Sequence, residues 1–194
     1  MKKIVLRVGS LILIAILLTL SCFAEGMVFS VLKFELQEKT NWCWVASAIN
    51  AVHHEMENPR SQYTVVRQIK GTVTNWYPNE GGTIFEIEEA AEYASKNTES
   101  YTGVEATRSF NSLKNAIKNN DNAVVVCSGY YVQNVRNGGH AVLIDGYAIN
   151  TNGNYVQYFD PWDGTSHICT YESFCDGTYN GRIYDYTCYN TEVK

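Results

Sequence analysis

Cys43 stands at the head of an apolar, small-residue stretch, Trp42-Cys43-Trp44-Val45-Ala46-Ser47-Ala48, with Gln37 a short way upstream. Trp44, Val45, Ala48, Ile49, Ala51 and Val52 recur at helical spacing, and Ala46, Ser47 and Ala48 keep the helix slim enough to be buried on most sides. Cys43 therefore falls in or just before the first turn. There the unpaired backbone N–H groups and the positive end of the helix dipole favour thiolate over thiol, and thiolate is the nucleophile. Asn41 is the expected N-cap. Gln37 lies on a segment without helical pattern, so its amide N–H can turn back toward the sulfur and help bind an oxyanion. The same residues would also describe a structural cysteine between two core tryptophans, because a free thiol packs as a small hydrophobe.

A thiolate nucleophile needs a base, and four histidines compete for that role. His140 follows Asn137-Gly138-Gly139 and opens the apolar run Ala141 to Ile144, so it is fixed by a strand yet open at its end. His53 and His54 lie two to three turns down the helix of Cys43 and cannot fold back to it, and His54-Glu55-Met56-Glu57-Asn58 lacks the second histidine of a zinc protease helix. His167 reads as a surface strand residue. Asp160 closes the next strand as Phe159-Asp160-Pro161-Trp162, where it can accept an imidazole N–H and fix the tautomer. Asp145 is its rival. It stands an odd number of residues from His140 on one strand, so its side chain is expected on the opposite face.

Gln37, five intervening residues and then Cys43-Trp44 at the head of a small-residue helix resemble the papain-like cysteine peptidases. Gln37…Trp42-Cys43-Trp44-Val45-Ala46-Ser47 is most similar to their compact bacterial branch of secreted and effector peptidases. Gly139-His140-Ala141-Val142 followed by Asp145-Gly146-Tyr147 is similar to the family's base strand, and Asp160 with Trp162 matches a place held there by Asn or Asp with an aromatic just beyond. The resemblance spans about residues 30–190 in its order of elements, with three short motifs carrying its specificity. It implies Cys43 as nucleophile, His140 as base, Asp160 as the group that orients it and Gln37 as oxyanion donor. The reaction implied is amide cleavage of a protein or peptide substrate through a thioester, with no cofactor and no metal. The same thiol and imidazole could instead cleave or transfer acyl groups on cell-wall peptides. A catalytically silent binding module is the third reading, and the complete set of four residues argues against it.

The elements that position these residues follow from patterning. Met1 to about Ala24 has a basic head of Lys2, Lys3 and Arg7, an apolar run from Leu11 to Leu20 and a small-x-small end at Cys22-Phe23-Ala24, which reads as a signal peptide for export, or for lipidation at Cys22. Its removal takes three cations from a formal charge of −5 and leaves −8. So acidic a chain, without basic runs interleaved by aromatics, is not expected to bind nucleic acid or, once cleaved, a membrane, and it is expected to be a monomer. The rest, 27–194, suits one domain with an aromatic core, there being 14 Tyr and 4 Trp.

A short strand is expected over Val28 to Leu36, helices over Tyr63 to Lys70, Thr83 to about Lys96 and about Ser109 to Asn119, and strands over Ala123–Cys127, Gly139–Tyr147, Tyr155–Asp160, Thr165–Tyr171 and Arg182–Tyr189. Helices first and antiparallel strands second predict an α+β, papain-like fold, with the nucleophile helix packed on a C-terminal sheet and a cleft where the halves meet. Of the remaining cysteines, Cys127 is expected buried and reduced, with a disulfide within the trio Cys169, Cys175 and Cys188.

Overall fold

The computed structural model describes residues 25–28, 33–72, 76–120 and 122–191, so the expected targeting segment, Cys22 included, lies outside the described residues. In chain order the elements are β1 (Glu25–Val28), α1 (Cys43–Glu55), α2 (Gln62–Lys70), α3 (Ile84–Ala94), β2 (Tyr101–Val104), α4 (Phe110–Asn120), β3 (Val124–Val132), β4 (Val135–Asn150), β5 (Gly153–Asp160), β6 (Thr165–Thr170), α5 (Tyr171–Asp176) and β7 (Ile183–Asn190). All strands join one antiparallel sheet in the order β2-β7-β3-β4-β5-β6. β1 pairs with Gly146 to Ile149 of β4, just past Ile144, where β3 ends its own pairing. This is the expected α+β division.

Local chemistry accounts for the helix ends. Thr83 and Glu86 form a reciprocal capping box at the start of α3, Thr83 N–H to Glu86 Oε2 at 2.7 Å and Glu86 N–H to Thr83 Oγ1 at 3.2 Å. That helix stops at Ala94 rather than Lys96 because Lys96 and Asn97 turn left-handed, with φ of 62° and 59°. α1 packs against both β4 and α3, and its residues Trp44 to His53 are buried.

Four expectations need correction. Residues 29–32 of the expected Val28 to Leu36 strand lie outside the described residues, and 33–37 are irregular; the strand lies earlier, at Glu25–Val28. The amide of Asn50 bonds the backbone N–H and C=O of Glu35 at 2.7 and 3.0 Å, and the amide of Gln62 bonds Glu38 N–H and Leu36 C=O at 3.0 and 2.7 Å. Helix side chains thus satisfy the backbone that a neighbouring strand would otherwise pair. The Cys127 and His140 strands are far longer than expected, because they continue past the cleft into a hairpin turning at Gln133 and Asn134, both left-handed. After β6 the chain enters α5, capped by Thr170 and ended by Gly177 at φ 80°. Finally, the expected disulfide is not formed, and all five described cysteines are free. Cys169 bonds the Ser173 hydroxyl, Cys175 bonds the Tyr171 hydroxyl, and Cys188 faces the core from β7, opposite Val125.

Candidate active site

Helix α1 begins at Cys43, with Trp42 in the N-cap place and no side chain capping it. Asn41, expected as the cap, is drawn to another loop: its Nδ2 donates to Asn79 C=O at 2.8 Å, and its N–H donates to Asn79 Oδ1 at 3.0 Å. The indoles on either side of Cys43 bind the same loop, Trp42 Nε1 to Pro78 C=O at 2.8 Å and Trp44 Nε1 to Glu80 C=O at 3.0 Å. Gly82 ends that loop against Trp44, and a Cβ there would lie 2.5 Å from Cδ2 of the indole, so only glycine fits. With no cap competing, the N–H of Trp44 donates to the Cys43 sulfur, as does the N–H of Ala141 from β4.

The helix and the base strand are tied directly. Ser47, one turn below Cys43, donates from Oγ to Ala141 C=O at 3.0 Å, in a fully buried place. His140 precedes Ala141 in β4, and its side chain hydrogen-bonds the Cys43 sulfur. Its Nε2 lies 2.6 Å from Asp160 Oδ1, which leaves Nδ1 for the sulfur. Asp160 ends β5, and the same Oδ1 accepts the N–H of Trp162 at 2.8 Å. Sequence reasoning named Ser47 only for its small size; its bond to β4 depends on the fold and has no local signature.

Electrostatics follow from this geometry. Burial alone would push the Cys43 thiol up, but the hydrogen bond and charge of His140, with the two N–H donors, outweigh it and bring the thiol below its ordinary value. Burial would lower His140, yet the bonds to Asp160 and the Cys43 sulfur raise it to about 9. Burial likewise opposes the ionisation of Asp160, and the His140 bond reverses that, holding the carboxyl below its usual range. The arrangement favours a thiolate beside an imidazolium, able to add to a carbonyl and then return a proton.

Gln37 is bound to the residue after Asp160 and to its own segment. Its backbone N–H donates to Pro161 C=O at 2.9 Å, and its Nε2 donates to the carbonyls of Lys39 and Thr40 at 2.9 and 2.8 Å, while Oε1 is buried without a partner. Asp145 is not brought to His140. It is buried at an irregularity of β4 between Ile144 and Gly146, accepts from Gln157 Nε2 at 3.3 Å, and is pushed up to about 6 by burial. His53 pairs with Glu35 at 3.2 Å, away from the cleft. His167 stacks on Tyr158 and bonds Asp163 and Thr165 Oγ1, both at 2.9 Å. Among the described residues, Asp160, Asp163 and His167 are the set that could hold a metal, with ligand atoms within 4.8 Å of one another, though each already has hydrogen-bond partners.

The cleft has two lobes, both bordered by Gly139 and His140. One, of about 160 Å³, is lined by Cys43, Trp44, Gly81, Gly82 and Arg136; the other, of about 250 Å³, by Tyr130, Asp160, Trp162 and Arg182. Neither arginine is marked by the sequence: Arg136 precedes Asn137-Gly138-Gly139-His140 without a pattern of its own, and Arg182 stands far from any motif.

The family model described as Peptidase_C39 like family matches residues 31–189. No curated protein matches the chain. Of solved structures, the digestive procathepsin L2 proteinase from Tenebrio molitor larval midgut is similar at 17% identity with a TM-score of 0.55, over 85% of this chain and 65% of that one. The digestive procathepsin L 3 of the same tissue is similar at 16% identity with a TM-score of 0.56, over 88% of this chain and 70% of that one. This chain thus spans about two thirds of the length of those two proteins, and the likeness at such identities is one of fold.

Proposed function

Because this chain belongs to the Peptidase_C39-like family of papain-like cysteine peptidases, we propose that it hydrolyses peptide bonds with Cys43 as nucleophile, His140 as acid and base, and Asp160 as the group orienting His140. The observation that carries the reading is the chain of contacts from the Cys43 sulfur through His140 to Asp160 Oδ1, in a cleft. Cys43 thiolate attacks the carbonyl carbon and its electron pair moves onto oxygen. Collapse of that oxyanion expels the amine, which takes the proton from His140, and leaves a thioester on Cys43. Neutral His140 then draws a proton from water, the hydroxide adds to the thioester, and loss of the acid restores the thiolate.

The oxyanion role of Gln37 belongs to the same proposal. Its Nε2 hydrogens serve two neutral carbonyls, and an oxyanion is the stronger acceptor, since charge-assisted hydrogen bonds are about twice as strong as neutral ones. One hydrogen can therefore transfer its bond to the developing charge. Export belongs to the proposal as well, supported by the basic and apolar head of the sequence; among the described residues no helix is long and apolar enough to cross a membrane.

The experiment is alkylation. Iodoacetamide should modify Cys43 first, faster than a simple thiol at pH 6, with activity lost in step. His140→Ala should move the reactivity profile to higher pH, because it removes the cation that stabilises the thiolate. An ordinary thiol profile, unmoved by His140→Ala, would leave a silent binding module as the better reading.

A further inference from the structure

We propose that the substrate presents carboxylate side chains beside the bond that is cut, and that Arg136 and Arg182 receive them, one in each lobe of the cleft. The inference rests on the peptidase reading above and names the substrate class of that same site. The chain is acidic overall, yet among the described residues, apart from the Cys43, His140 and Asp160 group, the only permanent charges lining either lobe are these two arginines.

Arg136 is held for such a task. Its Nε donates to Asp185 Oδ2 at 2.6 Å, and its guanidinium lies over the Tyr186 ring at 4.9 Å. That contact uses one edge of a five-donor fork and leaves the Nη groups for another acceptor. The floor beneath is bare sheet: Gly129 of β3 and Gly139 of β4 are register partners. A Cβ on Gly139 would come within 2.3 Å of Arg136 Nη2, and one on Gly129 within 2.5 Å of Asp185 Oδ2. The two glycines thus let the guanidinium settle against the residue next to His140. Asp185 is nearly buried, with its Oδ1 lacking a partner, so it anchors the inner edge of the guanidinium rather than covering the whole.

Arg182 serves the other lobe. Its guanidinium lies over the Tyr130 ring at 5.7 Å, and its Nε is buried without a partner. The Nε is closed off, but no carboxylate among the described residues pairs with the Nη groups, which can meet a carboxylate arriving with the substrate in a charge-assisted bond.

Internally quenched peptides, each position in turn Glu, Gln or Lys, test this. The wild type should prefer Glu to Gln by about tenfold or more in kcat/KM at one position on each side of the cut, with Lys poorest, since a bond to a charged group is stronger by roughly that factor. Arg136→Gln alone would leave the nearly buried Asp185 charge with the Tyr131 hydroxyl and no countercharge, so the variant is Arg136→Gln with Asp185→Asn, which keeps the pair neutral. In it the Glu to Gln ratio should fall toward one at one of the two positions and persist at the other; Arg182→Gln should show the converse. Cleavage with no charge preference, or a preference that survives both variants, overturns the inference while the peptidase reading stands. Failure to cleave any peptide overturns both.

Discussion

At Asp160 one oxygen serves two donors, His140 Nε2 at 2.6 Å and the Trp162 N–H at 2.8 Å. What matters there is an acceptor in a fixed place more than a full charge. Asp160→Asn keeps an acceptor and should retain kcat within about tenfold, whereas Asp160→Ala should lower it about a hundredfold by freeing the imidazole. Steady-state kinetics decide this, and a larger loss from Asp145→Asn than from Asp160→Ala would transfer the orienting role. In its proposed role Gln37 acts on charge that exists only in the transition state, so Gln37→Ala should lower kcat by about ten- to a thousandfold with KM little changed. Weakened KM at unchanged kcat would make it a substrate contact instead. The residues proposed to carry the chemistry stand out in the sequence because each sits in an improbable local setting: a cysteine opening a small-residue helix, a histidine after two glycines, an aspartate before Pro-x. Their bonding partners do not. Asn41 is turned from the helix cap by Asn79, and Gln37 is held by carbonyls next to it, and neither competition leaves a mark in residue type.

Among the elements, legibility followed the length of the periodic run. α1, α3 and α4 were read to within a few residues, since apolar spacing and the Thr83 to Glu86 box mark them. The arm of β3 and β4 beyond Gly129 was missed, because Tyr130, Tyr131, Val132 and Val135 are all exposed and no buried face imposes alternation. β1 was displaced in the reading because the more strand-like run after it is bound by Asn50 and Gln62. The position of β1 bears on export. Cleavage after Ala24 would leave Glu25 first, with its carboxylate accepting from Lys114 Nζ at 2.7 Å, from Lys118 and from the Tyr147 hydroxyl at 3.1 Å. N-terminal sequencing of protein collected outside the cell should therefore begin near Glu25, with β1 intact. A blocked chain starting at an acylated Cys22 would show the lipoprotein route instead.

For the molecule as a whole, Asp145 sets a pH dependence of stability apart from catalysis. Burial raises its carboxyl from an ordinary 3.8 to about 6 in the folded state, so the unfolded chain releases this proton first. Stability from this group is then full below about pH 4, falls as pH rises toward 6 and stays low above. Asp145→Asn should remove that slope and raise stability at pH 7 by about 2–3 kcal/mol, with turnover unchanged, as urea melts at pH 4 and pH 7 would measure. An equal slope in the variant would place its origin elsewhere. The Ser47 to Ala141 bond has a consequence for how the molecule comes into being. It closes a loop whose ends are 94 residues apart, with Cys43, the proposed nucleophile, on the early side and His140, its proposed base, on the late side. A chain leaving the ribosome thus carries Cys43 without the His140 imidazole until β4 has emerged and docked, and only then can the proposed pair assemble. On the proposed reading, a lesion that stops translation before β4 yields a fragment that holds the nucleophile without its base, hence an inert one.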